Sequence, residues 1–359
     1  MTFDSRSRAR AGRFRPLVSA AALALAVALP AVLPHAAQAQ AKPATVIKLA
    51  TLVPDGSVWD RALRGAGAEW SQATQGRVSL RIYPGGVAGD EPDVVRKMRI
   101  GQVQAAALTV AGLAEIDPAF KVFGIPMFFD SYPELRAVLD VMTPTLKQRL
   151  EAKGFVLLNW GHGGWIHVFG KQPLSTTTDL KKMKLWVGIG DDDMVGLWKK
   201  NGFQPVSIAA TDILTGLQSG MLEAIYTTPL AALSLQWFRT TPYMSQVGLA
   251  PLVGGTVITK AAWAKLSDAD KQVILASCRK VEQRLEADVP KQDDDSIAEM
   301  QKRGLKISTS TPAQAAEWRK EAEQFAAQMR GTIIAADVMD MARKARDDFR
   351  AKNPGAAAH

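Results

Sequence analysis

Few residues in this chain have the types and spacing that reaction chemistry needs. Of four histidines, only His162 and His167 lie in the interior of the sequence. They stand five apart around a Gly-rich corner, which matches no metal-ligand spacing, and no Ser in a G-x-S-x-G setting offers a nucleophile beside them. Both read as structural or hinge-lining. Cys278, the single cysteine, cannot form an internal disulfide. It falls in a helical apolar pattern with Val273, Ile274, Ser277 and Val281 and reads as a small buried hydrophobe. The sharpest acidic cluster, Asp191-Asp192-Asp193, could hold a hard cation, but it follows Gly188-Ile189-Gly190 and opens a helix, where Asp caps free N–H groups. The run Gly85-Gly86-Val87-Ala88-Gly89 lacks both the dinucleotide fingerprint and the Lys of a phosphate loop, and reads as a turn. No cofactor or resident metal is expected. More telling are aromatics at element edges: Trp59, Phe128, Phe129, Trp165, Trp186, Tyr226 and Trp237. Rings gathered at strand ends suit the wall of a ligand cleft.

The elements that would position them alternate between strand and helix patterns. Val46 to Thr51 reads as a strand, Ser57 to Ala73 as a helix, and Arg77 to Tyr83 as a strand ending at Pro84-Gly85-Gly86. A helix over 92–100, a strand over 104–109, a helix over 132–153 and a strand over 155–160 follow, with Gly161-His162-Gly163-Gly164 as an interruption. A second set then begins: strands over 165–169, 184–187, 204–207 and 223–226, with helices over 191–201 and 211–219. A strand over 256–259 returns the chain, and two long helical stretches over 268–298 and 312–350 close it. The class is α/β with a parallel-rich sheet. Two lobes joined by Gly-containing crossovers are expected, residues 40–163 with 254–290 and residues 164–253 with 291–359, enclosing a cleft that closes by hinge motion.

Composition narrows the function classes. The 359 residues include 44 Lys and Arg against 35 Asp and Glu, 47% apolar residues and nine Trp, enough for a large core. Residues 1–39 hold five of the Arg and one Asp, so the remainder carries 39 basic and 34 acidic residues, or +5. That balance describes a solvated surface, without a basic stripe for nucleic acid. The segment itself reads as a secretory signal. An Arg-rich start is followed by an apolar run from Leu17 to Leu29 and by Ala37-Gln38-Ala39, with cleavage expected after Ala39. The run is shorter than the about 20 residues of a spanning helix. An exported, periplasmic protein that is not embedded in the membrane is expected.

Several segments together carry a resemblance. Arg77 to Asp90, read RVSLRIYPGGVAGD, and Arg99-Ile100-Gly101-Gln102 resemble the "strand, YPGGxxG, helix, xxG" opening of the solute-binding proteins of tripartite ATP-independent periplasmic (TRAP) transporters, the DctP-like family. Phe123 to Phe129 is similar to that family's "PFLF" segment, Leu180 to Val187 to its "LKGLKIRV" strand, and Thr211 to Glu223 to its "YTALQxGxVDG" helix and turn. The similarity runs in order from about Val46 to about Pro229. It implies a two-lobed periplasmic-binding-protein-like fold with long C-terminal helices. The implied function is a receptor that captures a small organic solute by closure and delivers it to an ion-driven membrane permease, with no enzyme activity. A sensor or scaffold on the same fold and a cleft enzyme are the alternatives.

The departures from the family bear on the ligand. An Arg that typically forks onto the ligand's carboxylate in the "LKIRV" strand is replaced by Trp186, and the second, in "GFR", by Trp165 within Gly164-Trp165-Ile166. A carboxylate buried without a cation costs several kcal/mol. The cleft is therefore expected to hold an apolar, aromatic or weakly polar molecule against Trp59, Phe128, Trp165, Trp186 and Tyr226, with Thr228 and backbone N–H groups at its polar end. The alternative is a carboxylate met by Arg81, Arg96, Arg99, Arg136 or Arg239 from elsewhere.

Overall fold

A computed structural model describes residues 45–354; the expected signal segment lies outside them. In chain order the elements are β1 (Thr45–Thr51), α1 (Val58–Ala73), β2 (Val78–Tyr83), α2 (Glu91–Arg99), β3 (Ala105–Thr109), α3 (Val110–Ile116), a 3-10 turn (Pro118–Gly124), α4 (Tyr132–Ala152), β4 (Phe155–Gly170), α5 (Thr177–Lys181) and β5 (Lys184–Val187). They continue with α6 (Asp192–Lys200), β6 (Gln204–Ser207), α7 (Ile213–Ser219), β7 (Ala224–Thr227), α8 (Pro229–Ser234), β8 (Tyr243–Thr259), α9 (Lys260–Trp263), α10 (Asp268–Lys302), β9 (Lys306–Ser308), α11 (Pro312–Met329) and α12 (Ala336–Lys352).

Local signals account for most boundaries. Ser57, Thr109, Ser131 and Ser267 each cap a helix by accepting a backbone N–H two or three residues on. Thr176 and Thr311 complete capping boxes at α5 and α11. The strands form one sheet in the order β2-β1-β3-β8-β4-β7-β5-β6, with β9 beside β8. Pairing is parallel within β2-β1-β3 and within β7-β5-β6, as the alternating pattern predicts. Between these two groups runs a long antiparallel ribbon of β4 and β8.

This ribbon departs from the sequence reading. The glycines at 161–164 do not end one strand and start another. β4 continues through them for 16 residues, and β8 for 17 instead of the four expected. The interruption survives as register shifts, one of them between His162 and Trp165, because glycines in a strand accommodate bulges and close approach without ending the pairing. One end of the ribbon lies beside β3 through Ala105 to Thr109. The other lies beside β7 through His167 to Gly170 and beside β9 through Tyr243 to Ser245.

α10 is the spine along the ribbon. Ile274 and Cys278 pack with Ile47, Leu49 and Trp70 near one end. Val281, Leu285 and Val289 meet Val58, Trp59 and Leu230 in the middle. Met300 joins Phe169, Ile225 and Met244 at the far end. The final stretch, expected as one helix over 312–350, is broken at Arg330 to Ala335, with Gly331 at φ +77°. Its Ala-, Glu- and Lys-rich composition favours helix throughout and hides the break. α11 packs Trp318 and Phe325 toward Trp198 and Phe203, while Arg350 of α12 pairs with Glu134 of α4 at 2.6 Å.

Phe325 stands 4.6 Å from Trp198 and 6.4 Å from Phe203, ring to ring. Phe325→Ala is expected to cost about 3–5 kcal/mol of folding stability, read as a lower urea midpoint with an unchanged denaturant slope; an unchanged midpoint would remove α11 from the core.

Candidate functional site: the interlobe cleft

The carboxyl ends of β1, β2 and β3 face those of β5, β6 and β7 across the ribbon, and the turns after these strands meet. After β2, a methyl group added to Gly86 would lie 2.6 Å from Thr211 Cγ2 of the opposite side. Asp90, the N-cap of α2, accepts from Glu91 N at 2.8 Å and from Ala210 N, across the cleft, at 2.8 Å. Lys121 of the 3-10 turn pairs with Asp191, at the start of α6, at 2.7 Å. The two sides are therefore in contact around the cleft.

Two of the rings expected at the site come together on the second set of strands. Trp186, the penultimate residue of β5, has its ring 5.2 Å from that of Tyr226 on β7, tilted 44°. Its Nε1 donates to Ile208 O at 3.1 Å, which fixes the indole over the β6–α7 turn. Trp198 lies 6.5 Å behind Tyr226, stacked at 20°. Burial, and secondarily the charge of Asp191, push the Tyr226 hydroxyl well above its ordinary value. Asp191 also caps α6 by accepting from Met194 N at 3.3 Å, the role the helix-opening reading assigns it. Glu115 is raised as well, by burial first and Asp191 second, against Lys121 and Arg99.

The remaining residues expected at the site are dispersed around it. Trp165 is buried in the ribbon, edge-on to Tyr132 at 5.3 Å, and its ring covers Gly248, where a Cβ would come within 2.3 Å of Nε1. Trp59 is buried and donates from Nε1 to His162 O at 3.0 Å. Phe128 stacks edge-on with Phe129 at 5.0 Å beneath the Arg346 guanidinium, in the seam between α12 and the start of α4. Thr228 is fully buried, and its Oγ1 accepts from Ala231 N at 3.4 Å as the N-cap of α8. Only Trp186 and Tyr226, of the six, are brought ring to ring.

Each arginine considered from sequence is engaged elsewhere. Arg81 lies over the Tyr83 ring, Arg96 pairs with Asp93, Arg99 donates to Glu115 O, Arg136 pairs with Glu282 and Arg239 donates to Gln236. A cation paired across the two sides is Lys121, which sequence reasoning passed over. Its signal was a lone charge in the apolar run Phe120-Lys121-Val122-Phe123. Asp90 and Glu91 were also missed. Glu91 is buried and accepts from Thr109 N and Thr109 Oγ1, both at 2.6 Å, and from Gly112 N at 2.9 Å, so it fastens α2 to the start of α3. Its burial outweighs those bonds and pushes it up to about 7. His162 is buried in the ribbon with no hydrogen-bond partner for Nε2, and burial lowers its pKa. His167 Nδ1 meets Ser245 O at 3.0 Å.

Comparisons with known proteins bear on the family and the fold. The family model for bacterial extracellular solute-binding protein family 7 (DctP) matches residues 49–331. A "solute-binding protein" of Chromohalobacter salexigens is 24% identical over 216 residues, which are 60% of this chain and 64% of the relative's length. The sugar acid binding protein DctPAm of Advenella mimigardefordensis, solved with galactonate, superposes with a TM-score of 0.80 at 17% identity, covering 85% of this chain and 98% of that one. DctP7 of Bordetella pertussis, an extracytoplasmic solute receptor solved with pyroglutamic acid, gives a TM-score of 0.78 at 19% identity over 85% and 100% of the two chains. The α/β architecture is that of two-lobed periplasmic binding proteins. No described helix is long and apolar enough to cross a membrane.

Glu91 and Asp293 are each raised to about 7, chiefly by burial, from ordinary values of 4.5 and 3.8. The folded chain thus holds protons that the unfolded chain has released, and stability falls as pH rises toward and through 7. His162 acts in the opposite sense only below its ordinary 6.5. Between pH 6.5 and about pH 8 the loss is expected to be about 1–2 kcal/mol, measured as a falling melting temperature. Glu91→Gln should flatten the slope; a slope indifferent to it would mean Glu91 is not raised.

Proposed function

We propose, for a chain that belongs to bacterial extracellular solute-binding protein family 7, the work of a TRAP-type receptor that captures a small organic solute between two lobes and delivers it to membrane permease subunits. The chain is exported to the periplasm with cleavage after Ala39. Its lobes, residues 40–163 with 254–290 and residues 164–253 with 291–359, close by bending at the ribbon. The observation that carries the ligand reading is the Trp186–Tyr226 pair at the strand ends, 5.2 Å ring to ring. An apolar, aromatic or weakly polar face of the solute lies on this wall. Backbone N–H groups near the Thr228 turn meet the polar end.

A second reading is supported by one observation. Lys121, only 17% exposed, meets Asp191 across the cleft, and a ligand carboxylate could exchange for Asp191 without leaving the ammonium unpaired. Lys121 would then take the place of the absent arginines. Galactonate and pyroglutamate, bound by the Advenella and Bordetella proteins, are such acids.

Titration of the purified protein with aromatic or weakly polar compounds, followed by tryptophan fluorescence, is expected to give saturable binding. Trp186→Ala should weaken it about ten-fold or more. Galactonate binding that survives Trp186→Ala but is lost in Lys121→Ala would establish the second reading in place of the first.

A further inference from the structure

Asp293 lies on α10 three residues beyond Pro290 and is buried. Its two carboxylate oxygens bind two separate elements: Oδ2 accepts from Trp165 N of β4 at 2.8 Å, and Oδ1 accepts from Leu230 N in the first turn of α8 at 3.1 Å. Trp165 sits at the register shift that follows His162, opposite Pro251. There the bulge turns its N–H toward α10. Gly164, at φ +103°, makes room for the carboxylate, since a Cβ on residue 164 would stand 2.0 Å from Oδ2. Leu230 follows the Thr228 cap and lies four residues past Tyr226 of the aromatic wall.

We propose that Asp293 is the positioning residue of lobe closure: one carboxylate fastens α10 both to the ribbon at Gly164–Trp165 and to the α8 turn behind Tyr226, so the bend and the ligand-facing turn move together. The proposal rests on the receptor reading above. Three features make the clamp specific. Each oxygen accepts from its own backbone donor, so both sides of the buried carboxyl group are met. The donors come from segments far apart in sequence, 128 and 63 residues from Asp293. The approach also needs a glycine at 164, so carboxylate and glycine form one unit. Asp294 on the same helix and Tyr132 of α4 are the titratable neighbours, and the charge of Asp293 helps hold the Tyr132 hydroxyl in its protonated form.

The test needs no ligand. Dyes on cysteines introduced at Val87 and Leu214, which are exposed on opposite sides of the cleft, report the interlobe distance by single-molecule energy transfer; Cys278 is buried and stays unlabelled. In Asp293→Asn the closed population relative to the open one is expected to fall about ten-fold or more. Amide exchange at Trp165 and Leu230 should accelerate together. Gly164→Ala should give the same shift from the strand side, and the double variant little more than either alone. The Gly164→Ala result decides the matter by itself if Asp293→Asn does not fold. A lowered melting temperature with an unchanged distance distribution, or fully additive shifts in the double variant, would reduce Asp293 to a packing residue and overturn the proposal. A wild-type distance that stays fixed alike in the free protein, with the aromatic or weakly polar compounds and with galactonate would overturn the closing movement itself, and both readings with it.

Discussion

Two strands must keep hydrogen bonding to each other along their whole length while passing from one group of parallel strands to another, and the rest of the molecule is arranged around that requirement. β4 and β8 pair from Phe155–Thr259 at one end to Gly170–Tyr243 at the other. A continuous flat ladder of this length would resist bending. The register shifts at its centre concede a few backbone bonds where the two halves meet. The N–H of Trp165, turned out of the ladder there, is buried and must be met, and the carboxylate of Asp293 meets it. The geometry of the crossing thus dictates a buried acid on the spine helix.

Across the cleft, the same two halves are joined by weaker and more exchangeable contacts. Asp90 to Ala210 N is one charge-assisted hydrogen bond, and Lys121 to Asp191 is an ion pair that remains partly in contact with solvent. The Lys121–Asp191 pair, which water still reaches, contributes little to stability, whereas Asp90 is buried and its bond to Ala210 N is sheltered. The ribbon side, by contrast, is fully buried: Trp59, Trp165, Val289 and Leu230 are all nearly solvent-free. The back is thus held by apolar packing, while the facing turns are joined by two polar contacts, one of them open to solvent.

Much of the fold was legible in the sequence, for reasons visible in single residues. Ser57, Ser131 and Ser267 stand just before helix starts that the pattern places, and the turn at Pro84 ends β2 as its type requires. The parallel groups follow from the alternation. The ribbon was not legible, because Gly161, Gly163 and Gly164 look locally like a break, and only partners distant in sequence, such as Leu252 and Asp293, fill the space beside them. That Trp186 and Tyr226 come together could be read from their places near strand ends. Lys121, Asp90 and Asp293 could not. Each gains its role from a partner 63 to 128 residues away, and no local spacing encodes that. Phe128 shows the converse: its neighbours Ile125 and Pro126 suggest a cleft edge, yet Arg346, from the last helix, covers it.

The break between α11 and α12 has a mechanical consequence. α11 rests on Trp198 and Phe203 of the second strand group, and α12 is pinned to α4 through Arg350 and Glu134. The segment joining them, Arg330 to Ala335, is six residues long and even fully stretched reaches only about 20 Å. In the closing movement proposed above it would act as a safety chain on a door: whatever swing the other crossings permit, this strap would cap the aperture, and lengthening it by a few glycines would widen the gape without touching a guest.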